Sequence, residues 1–179
     1  MSGFIIRPED VQKYTVPIEV TGDWVSFRHS DFRPNSASLS AARFNQDGET
    51  AYYLASGVDT AKAEVPNWQE RELFKVAPTT IHAFDLAAWS KAHGQHENFL
   101  QSKQDGGHGV CQQVADQLSH VHGLSGILYN SEPMYAAGST GYCLAVLPPS
   151  GQLVDGQFFV KDVDASVCSP PASGFPPDP

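Results

Sequence analysis

Cysteine is scarce in this 179-residue chain. The three cysteines, Cys111, Cys143 and Cys168, are odd in number and show no C-x-x-C spacing. This pattern predicts reduced thiols, without a disulfide framework or a zinc site. Cys111 lies in a segment with helical apolar spacing and Cys143 in an apolar strand, so both are interpreted as small core residues rather than nucleophiles.

Basic residues are also few. Eleven Lys and Arg stand against 20 Asp and Glu, for a formal net charge of −9. Nucleic-acid binding depends on neutralising phosphates with Lys and Arg, so no direct nucleic-acid partner is expected, and an RNA-directed activity is the weakest interpretation. Any anion should therefore bind in a local pocket.

Long apolar runs are absent. No run approaches the ~20 residues that span a bilayer, and the opening "MSGFIIRPEDVQ" lacks a basic region followed by a long apolar core. This predicts a soluble chain with no membrane contact and no cleaved signal peptide. The length favours one compact domain, which we place at residues 1–164. The proline-rich tail, residues 165–179, should be extended or disordered.

Several familiar catalytic motifs are missing. There is no G-x-S-x-G nucleophile turn, and neither G-x-x-x-x-G-K-[ST] nor G-x-G-x-x-G occurs. The seven histidines form only the pairs His93/His96 and His120/His122, and no carboxylate or cysteine completes either pair. No metal site is expected.

What is present is a mixture of strand and helix patterns without regular alternation. Four segments predict strands, with "GQFFVKDV" as a fifth and last one: "TAYYLAS", "TTIHAFDL", "SGILYNS" and "GYCLAVLPP". The segment "EPMYAAGST" between the last two of the four is interpreted as a loop. The mixture favours an α+β fold, with a central mixed or antiparallel sheet flanked by helices.

Three segments predict helices. "VDTAKAEV" should be capped by Ser56 or Asp59 and ended by Pro66, and "LAAWSKAH" should be a short helix. "GGHGVCQQVADQLSHVHG" has the clearest helical pattern and a glycine, Gly123, at the expected C-terminal cap. Its apolar residues recur at helical spacing: Val110, Val114, Leu118 and Val121.

The stretch "AARFNQDGETAYYLASGVDTAKAEV" resembles the RES-domain family, named for its arginine, glutamate and serine. "ARFNQDG" is similar to the family's arginine element, "AYYLAS" to its aromatic strand and "DTAKAEV" to its glutamate helix. Later segments follow in the same order, so that the resemblance covers roughly residues 28–147. Ala41 and Ala42 replace the usual glycines before the arginine, and the turn should not need positive φ there.

The resemblance implies an NAD+ site. Its arginine, tyrosine, glutamate and serine fall on Arg43, Tyr53, Glu64 and Ser131, which are the predicted catalytic residues. A guanidinium suits pyrophosphate binding, and a carboxylate suits stabilising an oxocarbenium-like ribose. Successive strand residues face opposite sides, so only one of Tyr52 and Tyr53 can face the pocket. We choose Tyr53, to contact nicotinamide or ribose.

Arg28 and Asn45 complete the predicted NAD+-binding set, together with Arg43, Tyr53 and Ser131. Arg28 resembles a second arginine often found near the start of these domains. Asn45 should fix the turn around Arg43 by hydrogen bonds to the backbone.

The resemblance further implies an ADP-ribosyltransferase-like fold and an enzyme that degrades NAD+, with NAD+ as substrate and no metal. The leading hypothesis is an NAD+ glycohydrolase that depletes NAD+. The alternatives are a transferase that modifies a protein and a non-catalytic nucleotide-binding module. Lys62 stands two residues before Glu64, where arginine-directed transferases place Glu or Gln. This favours hydrolysis.

The biological setting implied by the resemblance is a toxin. Family members commonly act in toxin–antitoxin pairs, neutralised by a partner that carries an Xre-type DNA-binding domain. Others resemble effectors delivered into competing cells, for which an immunity protein would be the partner. The expected location is therefore the cytoplasm, or a target cell reached without a cleaved signal peptide.

Overall fold

The structure, a computed structural model, describes residues 5–20, 23–28, 42–46, 51–76, 78–95, 109–147 and 159–161. The strands are β1 Thr15–Val20, β2 Val25–Arg28, β3 Tyr52–Ala55, β4 Glu72–Val76, β5 Thr79–Asp85, β6 Gly126–Asn130, β7 Tyr142–Val146 and β8 Phe159–Lys161. The α-helices are α1 Pro8–Tyr14, α2 Val58–Glu64, α3 Leu86–Ala92, α4 Gly109–Asp116 and α5 Glu132–Ala136. A 3₁₀ turn spans Trp68–Glu70, and a π-helical turn spans Gln117–Val121.

All eight strands join one mixed sheet in the order β1-β5-β6-β7-β3-β2-β4-β8. The β5–β6 pair is parallel, and the other pairs between described strands are antiparallel. A parallel pair needs a long crossover, which here contains α3 and α4. The predicted single-domain α+β fold with a mixed sheet is confirmed.

Strands β6 and β7 lie inside the sheet, and apolar clusters cover them on both faces. Their side chains alternate between two apolar clusters, as the period of two along a strand requires. One cluster, the helix-side core, receives the α4 side chains Cys111, Val114 and Ala115. The strand residues on this face are Ile127, Tyr129, Cys143 and Ala145, and those on the other are Leu128, Leu144 and Val146. Burial of Cys111 and Cys143 confirms their interpretation as core residues.

The sequence pattern located most of the regular elements. The four predicted strands contain β3, β5, β6 and β7, and the three predicted helices contain α2, α3 and α4. Strand β8 lies inside "GQFFVKDV", whose other residues are outside the described part of the chain. The tail, residues 165–179, is also outside it. None of the helices that the structure describes is long and apolar enough to cross a membrane.

The loop predicted for "EPMYAAGST" is wrong, because its first half is helix α5. Ser131 is the N-cap residue, and its side chain accepts a hydrogen bond from the Met134 backbone N–H. Glu132 and Pro133 occupy the first turn, where a negative charge and a missing N–H are both favourable. A serine cap with proline just inside the helix is a start pattern that the loop interpretation overlooked.

The predicted caps of α2 are also wrong. Its N-cap residue is Gly57, and no side chain caps the helix there. The Ser56 hydroxyl instead accepts a hydrogen bond from the Tyr142 backbone N–H, at 3.1 Å. The Ser56 hydroxyl, which the local sequence pattern predicted as a helix cap, is therefore hydrogen-bonded to β7 instead. The other end is as predicted, since α2 ends at Glu64, two residues before Pro66.

The helical pattern of α4 changes at its C-terminal end. The backbone N–H of His122 donates to Gln117 O five residues back, at 3.1 Å, so the last turn is π-helical. Leu118 is fully buried, whereas Val121, predicted on the same apolar face, is 71% exposed. Because a π-helical turn holds more residues than an α-helical one, the buried face of the helix no longer includes Val121. Gly123 has φ +68°, which confirms the predicted glycine cap.

Gly141 lets α2 and α5 approach the start of β7. An added Cβ would lie 2.5 Å from Thr60 Oγ1 on α2 and 3.0 Å from Met134 Cγ on α5. Its carbonyl also accepts the Ser131 backbone N–H, at 2.9 Å. Only a residue without a side chain fits at this crossing.

We expect Gly141→Ala to destabilise the fold by about 1–3 kcal/mol, because two packed helices must move to admit the methyl group. Chemical denaturation measures the change. The matched control is Gly109→Ala, at an open position at the start of α4. It should leave stability equal or slightly higher. Equal stability of the two variants would show that the crossing tolerates a side chain.

Candidate active site

The predicted arginine lies in a tight turn of residues 42–45. The backbone N–H of Ala42 donates to Asn45 O at 3.0 Å, which closes the turn. Among the described residues, no non-glycine has positive φ. The expectation that alanine suits this turn is therefore confirmed for Ala42, while Ala41 lies outside the described residues.

Tyr53 holds this turn from the sheet. Its hydroxyl accepts the Phe44 backbone N–H at 2.9 Å and donates to Asn45 Oδ1 at 2.7 Å. The Tyr53 ring lines the cavity described below, whereas Tyr52 is buried in the core on the other face of the sheet. Of the two tyrosines, Tyr53 is therefore the one that lines the cavity. The Tyr53 hydroxyl, however, is already hydrogen-bonded to the turn.

Gln112 on α4 holds the turn from the helix side. Its side-chain nitrogen donates to Ala42 O at 2.9 Å and to Asn45 O at 3.0 Å. Two elements far apart in sequence thus fix the four residues that carry Arg43.

Arg43 is largely buried, with 9% of its surface exposed. Its Nη2 donates to Glu132 Oε2 at 2.9 Å, and its guanidinium carbon lies 5.2 Å from the centre of the Tyr129 ring. Because a buried charge needs a partner, the carboxylate and the ring face explain how the cation is tolerated. Glu132 uses one of the five N–H donors of the guanidinium.

Glu64 is the last residue of α2, and two donors converge on one of its carboxylate oxygens. Ser131 Oγ donates to Glu64 Oε1 at 2.6 Å, and Cys143 Sγ lies 3.5 Å from the same atom as a weaker donor. The convergence fixes the carboxylate and leaves Oε2 as the oxygen that can serve a ligand.

Cys143 and Tyr129 stay protonated at neutral pH. Burial raises the pKa of the Cys143 thiol well above its usual range, and the neighbouring Glu64 carboxylate raises this pKa further. Burial also raises the pKa of Tyr129, and nearby Cys143 adds to this effect, while Arg43 opposes it. Cys143 is therefore a thiol donor beside Glu64 rather than a thiolate nucleophile.

Arg43, Tyr53 and Glu64 line one cavity of about 270 Å³. Tyr129 and Cys143 also line it, and the rest of the lining is mostly apolar: Val25, Phe27, Leu54, Ala55, Ala61 and Val65. Its volume is close to the lower end of the usual range for small-molecule sites, and convergent polar groups in an apolar cleft are typical of such sites. A cation and a carboxylate therefore line the same cavity.

Two other predicted residues, Ser131 and Asn45, are not among the described residues that line this cavity. Ser131 is fully buried and contacts the site through Glu64, and Asn45, 2% exposed, is the last residue of the Arg43 turn. The backbone of Arg28 ends β2 opposite Glu72, and its side chain is outside the described part of the structure. In the described ranges, no three His, Cys, Asp or Glu side chains cluster as metal ligands.

Sequence reasoning missed four residues of the site: Gln112, Tyr129, Glu132 and Cys143. Tyr129 stands two positions before Ser131, and strand alternation could have placed it on the same side. Glu132 directly follows Ser131 but was assigned to a loop. Cys143 faces Tyr129 across the β6–β7 register, and Gln112 contacts a turn 70 residues away. Neither pairing has a local sequence signal.

Comparisons with known proteins agree with this fold. The model of the RES domain family matches residues 16–166. A chain of the M. tuberculosis MbcT–MbcA toxin–antitoxin complex superposes with a TM-score of 0.54, at 15% identity, covering 89% of this chain and 93% of that chain. At this identity, the likeness concerns the fold. No curated protein matches the sequence.

The structure is a single-domain α+β protein with a cavity that is lined by both a guanidinium and a carboxylate. The family match extends over far more than half of the sequence, from β1 to beyond β8. The chain belongs to the RES domain family.

We expect the free energy of unfolding to fall less steeply with rising pH in Cys143→Ser than in wild type, at alkaline pH. The folded-state pKa of Cys143 is raised, so its stabilising contribution is fully present below the unfolded thiol pKa and is lost as the pH rises toward the folded value. Serine keeps a donor to Glu64 but does not titrate in this range.

The measurement is the free energy of unfolding in urea between about pH 8 and about pH 10, just above the ordinary thiol pKa. Wild type should lose up to about 1.4 kcal/mol per pH unit more than the variant. Below that range the two slopes should agree. Parallel curves throughout would show that Cys143 titrates normally in the folded protein.

Proposed function

We propose that this protein is an NAD+ glycohydrolase that cleaves the bond between nicotinamide and ribose and depletes NAD+. In this proposal the cavity holds the nicotinamide–ribose half of the substrate. Arg43 binds the pyrophosphate, the Tyr53 ring contacts the nicotinamide or ribose, and Glu64 faces the ribose.

One observation carries the proposal: Arg43 and Glu64 line the same mostly apolar cavity. NAD+ combines a cationic nicotinamide ring with an anionic pyrophosphate, so its binding needs opposite charges at two points of one cleft. A guanidinium pairs with phosphate oxygens through several N–H donors. The apolar walls strengthen both interactions by excluding water.

The reaction breaks the C1′–N1 bond of the nicotinamide riboside unit. The bonding electrons leave with nicotinamide, which becomes neutral, and the ribose develops oxocarbenium character, as in glycoside cleavage. Water then attacks C1′ and releases a proton, which gives ADP-ribose. Glu64 stabilises the developing positive charge and orients the attacking water.

The hydrogen bonds at Glu64 suit this role. Ser131 and Cys143 both donate to Oε1, so the carboxylate is held before substrate arrives. A preorganised charge costs no reorganisation when the transition state forms. Ser131 is then a positioning residue that acts through Glu64.

Hydrolysis is favoured over protein modification by the residue two positions before Glu64. That residue is Lys62, whose Nζ lies 4.3 Å from the centre of the Trp68 ring. Arginine-directed transferases use an acid or amide at this position, and here a lysine packs against an aromatic ring instead. Water is then the expected acceptor.

We further propose that the protein acts in the cytoplasm as a toxin and that a partner protein neutralises it. RES-domain membership and the fold shared with a chain of the MbcT–MbcA complex support this setting. Because NAD+ loss would harm the producing cell, an inhibitor made alongside the enzyme is the expected safeguard.

The first test is release of nicotinamide from NAD+ by the purified protein. Glu64→Gln should lower kcat by about 10²–10⁴-fold, since the amide keeps an acceptor for Ser131 but loses the charge. The matched control is Glu70→Gln, the same change at an exposed position outside the cavity, and it should behave as wild type. If wild type and Glu64→Gln were equally inert, the glycohydrolase proposal would be lost.

Mass analysis of the products separates hydrolysis from transfer. The expected product is free ADP-ribose, with or without added cell lysate. ADP-ribose attached to a lysate protein would instead assign a transferase. Binding of NAD+ without turnover by wild type would assign a non-catalytic module.

We expect Ser131→Ala to lower kcat by about 10- to 100-fold with a small change in KM, because a misplaced catalytic group loses rate more than ground-state binding. It should also cost about 1–3 kcal/mol in stability, since a buried hydrogen bond to a carboxylate and a helix cap are lost. Steady-state kinetics and denaturation measure both. Ser139→Ala, at an exposed position after α5, is the control, and equal kcat in the two variants would remove Ser131 from the site.

A further inference from the structure

We propose that Gln112 is a positioning residue for phosphate binding, because it holds the Arg43 turn in place from helix α4. The inference rests on the proposed function, in which Arg43 binds the pyrophosphate of NAD+. Gln112 is not in the cavity lining and reaches the ligand only through that turn.

Both N–H groups of one amide are used on the turn. Gln112 Nε2 donates to Ala42 O and to Asn45 O, at 2.9 and 3.0 Å. A glutamine side-chain amide has two N–H donors, so the pair of bonds exhausts them. The two accepting carbonyls belong to the first and last residues of the turn, and the contact therefore fixes its orientation as well as its place.

The helix that carries Gln112 is firmly attached. The neighbouring side chains Cys111 and Val114 are fully buried in the helix-side core, and Ala115 is 4% exposed. Because the backbone of this helix is held in place by the core, the Gln112 side chain can hold the short turn in a fixed position. Tyr53 supports the turn from the sheet side through Phe44 and Asn45.

The effect should concern Arg43 and not the bond-breaking end of the cavity. Glu64 is held by Ser131 and Cys143, which belong to the β6–α5 junction and to β7. The two hydrogen bonds of the Gln112 amide go to the turn and not to that group. Loss of Gln112 should therefore weaken binding of the phosphate-bearing substrate and leave the rate of the bound complex nearly unchanged.

The test variant is Gln112→Glu, which keeps the shape but replaces two donors by a carboxylate facing two carbonyl oxygens. Gln113→Glu is the matched control, because it makes the same charge change at the next, exposed position of the helix. KM for NAD+ should rise about 10- to 100-fold in Gln112→Glu, the range expected for losing buried hydrogen bonds. The value of kcat should stay within about threefold of wild type, since the bonds around Glu64 remain.

Gln112→Met separates the loss of donors from the added charge. Methionine has similar length without donors, and it should raise KM in the same direction but less. If Gln112→Glu folds poorly in a thermal scan, Gln112→Met alone decides. A KM equal to that of Gln113→Glu, or a fall in kcat with KM unchanged, overturns the inference.

Binding of ADP-ribose, measured by calorimetry, tests the same inference without turnover. The dissociation constant should rise in Gln112→Glu and in Arg43→Ala, and the double variant should be no weaker than Arg43→Ala alone, because both act on one contact. Additive losses would show that Gln112 acts elsewhere. If wild type binds ADP-ribose but leaves NAD+ intact, the proposed reaction fails, and the calorimetric result still decides the role of Gln112.

Discussion

The hydrogen bond from Ser131 to Glu64 joins parts of the chain that are 67 residues apart, and much of the site depends on it. It requires α2 to end against the β6–α5 junction, which the missing side chain of Gly141 permits. Ser131 caps α5 with the same hydroxyl, so the helix that carries Glu132 starts at the point where Glu64 is held. The partner of Arg43 and the position of Glu64 are therefore set by one junction.

The electrostatics of the cavity follow from its burial. Arg43 is only 9% exposed, so its charge needs partners, and its guanidinium contacts the Glu132 carboxylate and the Tyr129 ring. The same burial raises the pKa of Cys143 and keeps the thiol protonated beside Glu64. The carboxylate thus receives donors instead of facing a second anion, and the charged groups of the cavity remain Arg43 and Glu64.

The sequence predicted the fold well where local patterns and tertiary packing agree. The strands in "TAYYLAS" and "GYCLAVLPP" are apolar and bounded by turn residues, and they form the centre of the sheet. Prediction failed where a long-range contact replaced a local one and where a helical turn departed from the α-helical period. Ser56 bonds to Tyr142 instead of capping α2, and the π-helical turn exposes Val121. Helix α5 had a local start pattern, with serine, glutamate and proline in order, and this pattern was misjudged.

By itself, the sequence determined the class of the fold, the family resemblance and three of the residues that line the cavity. Residue order carries that information, because Arg43, Tyr53 and Glu64 lie within one short segment with strand and helix periodicity. Only the tertiary structure decided the rest: that the Tyr53 hydroxyl supports a turn, that Ser131 is buried behind Glu64, and that Gln112 and Glu132 hold the Arg43 turn and its side chain. These contacts join strands and helices through registers and crossings that depend on packing of the whole core, which no local stretch of sequence encodes.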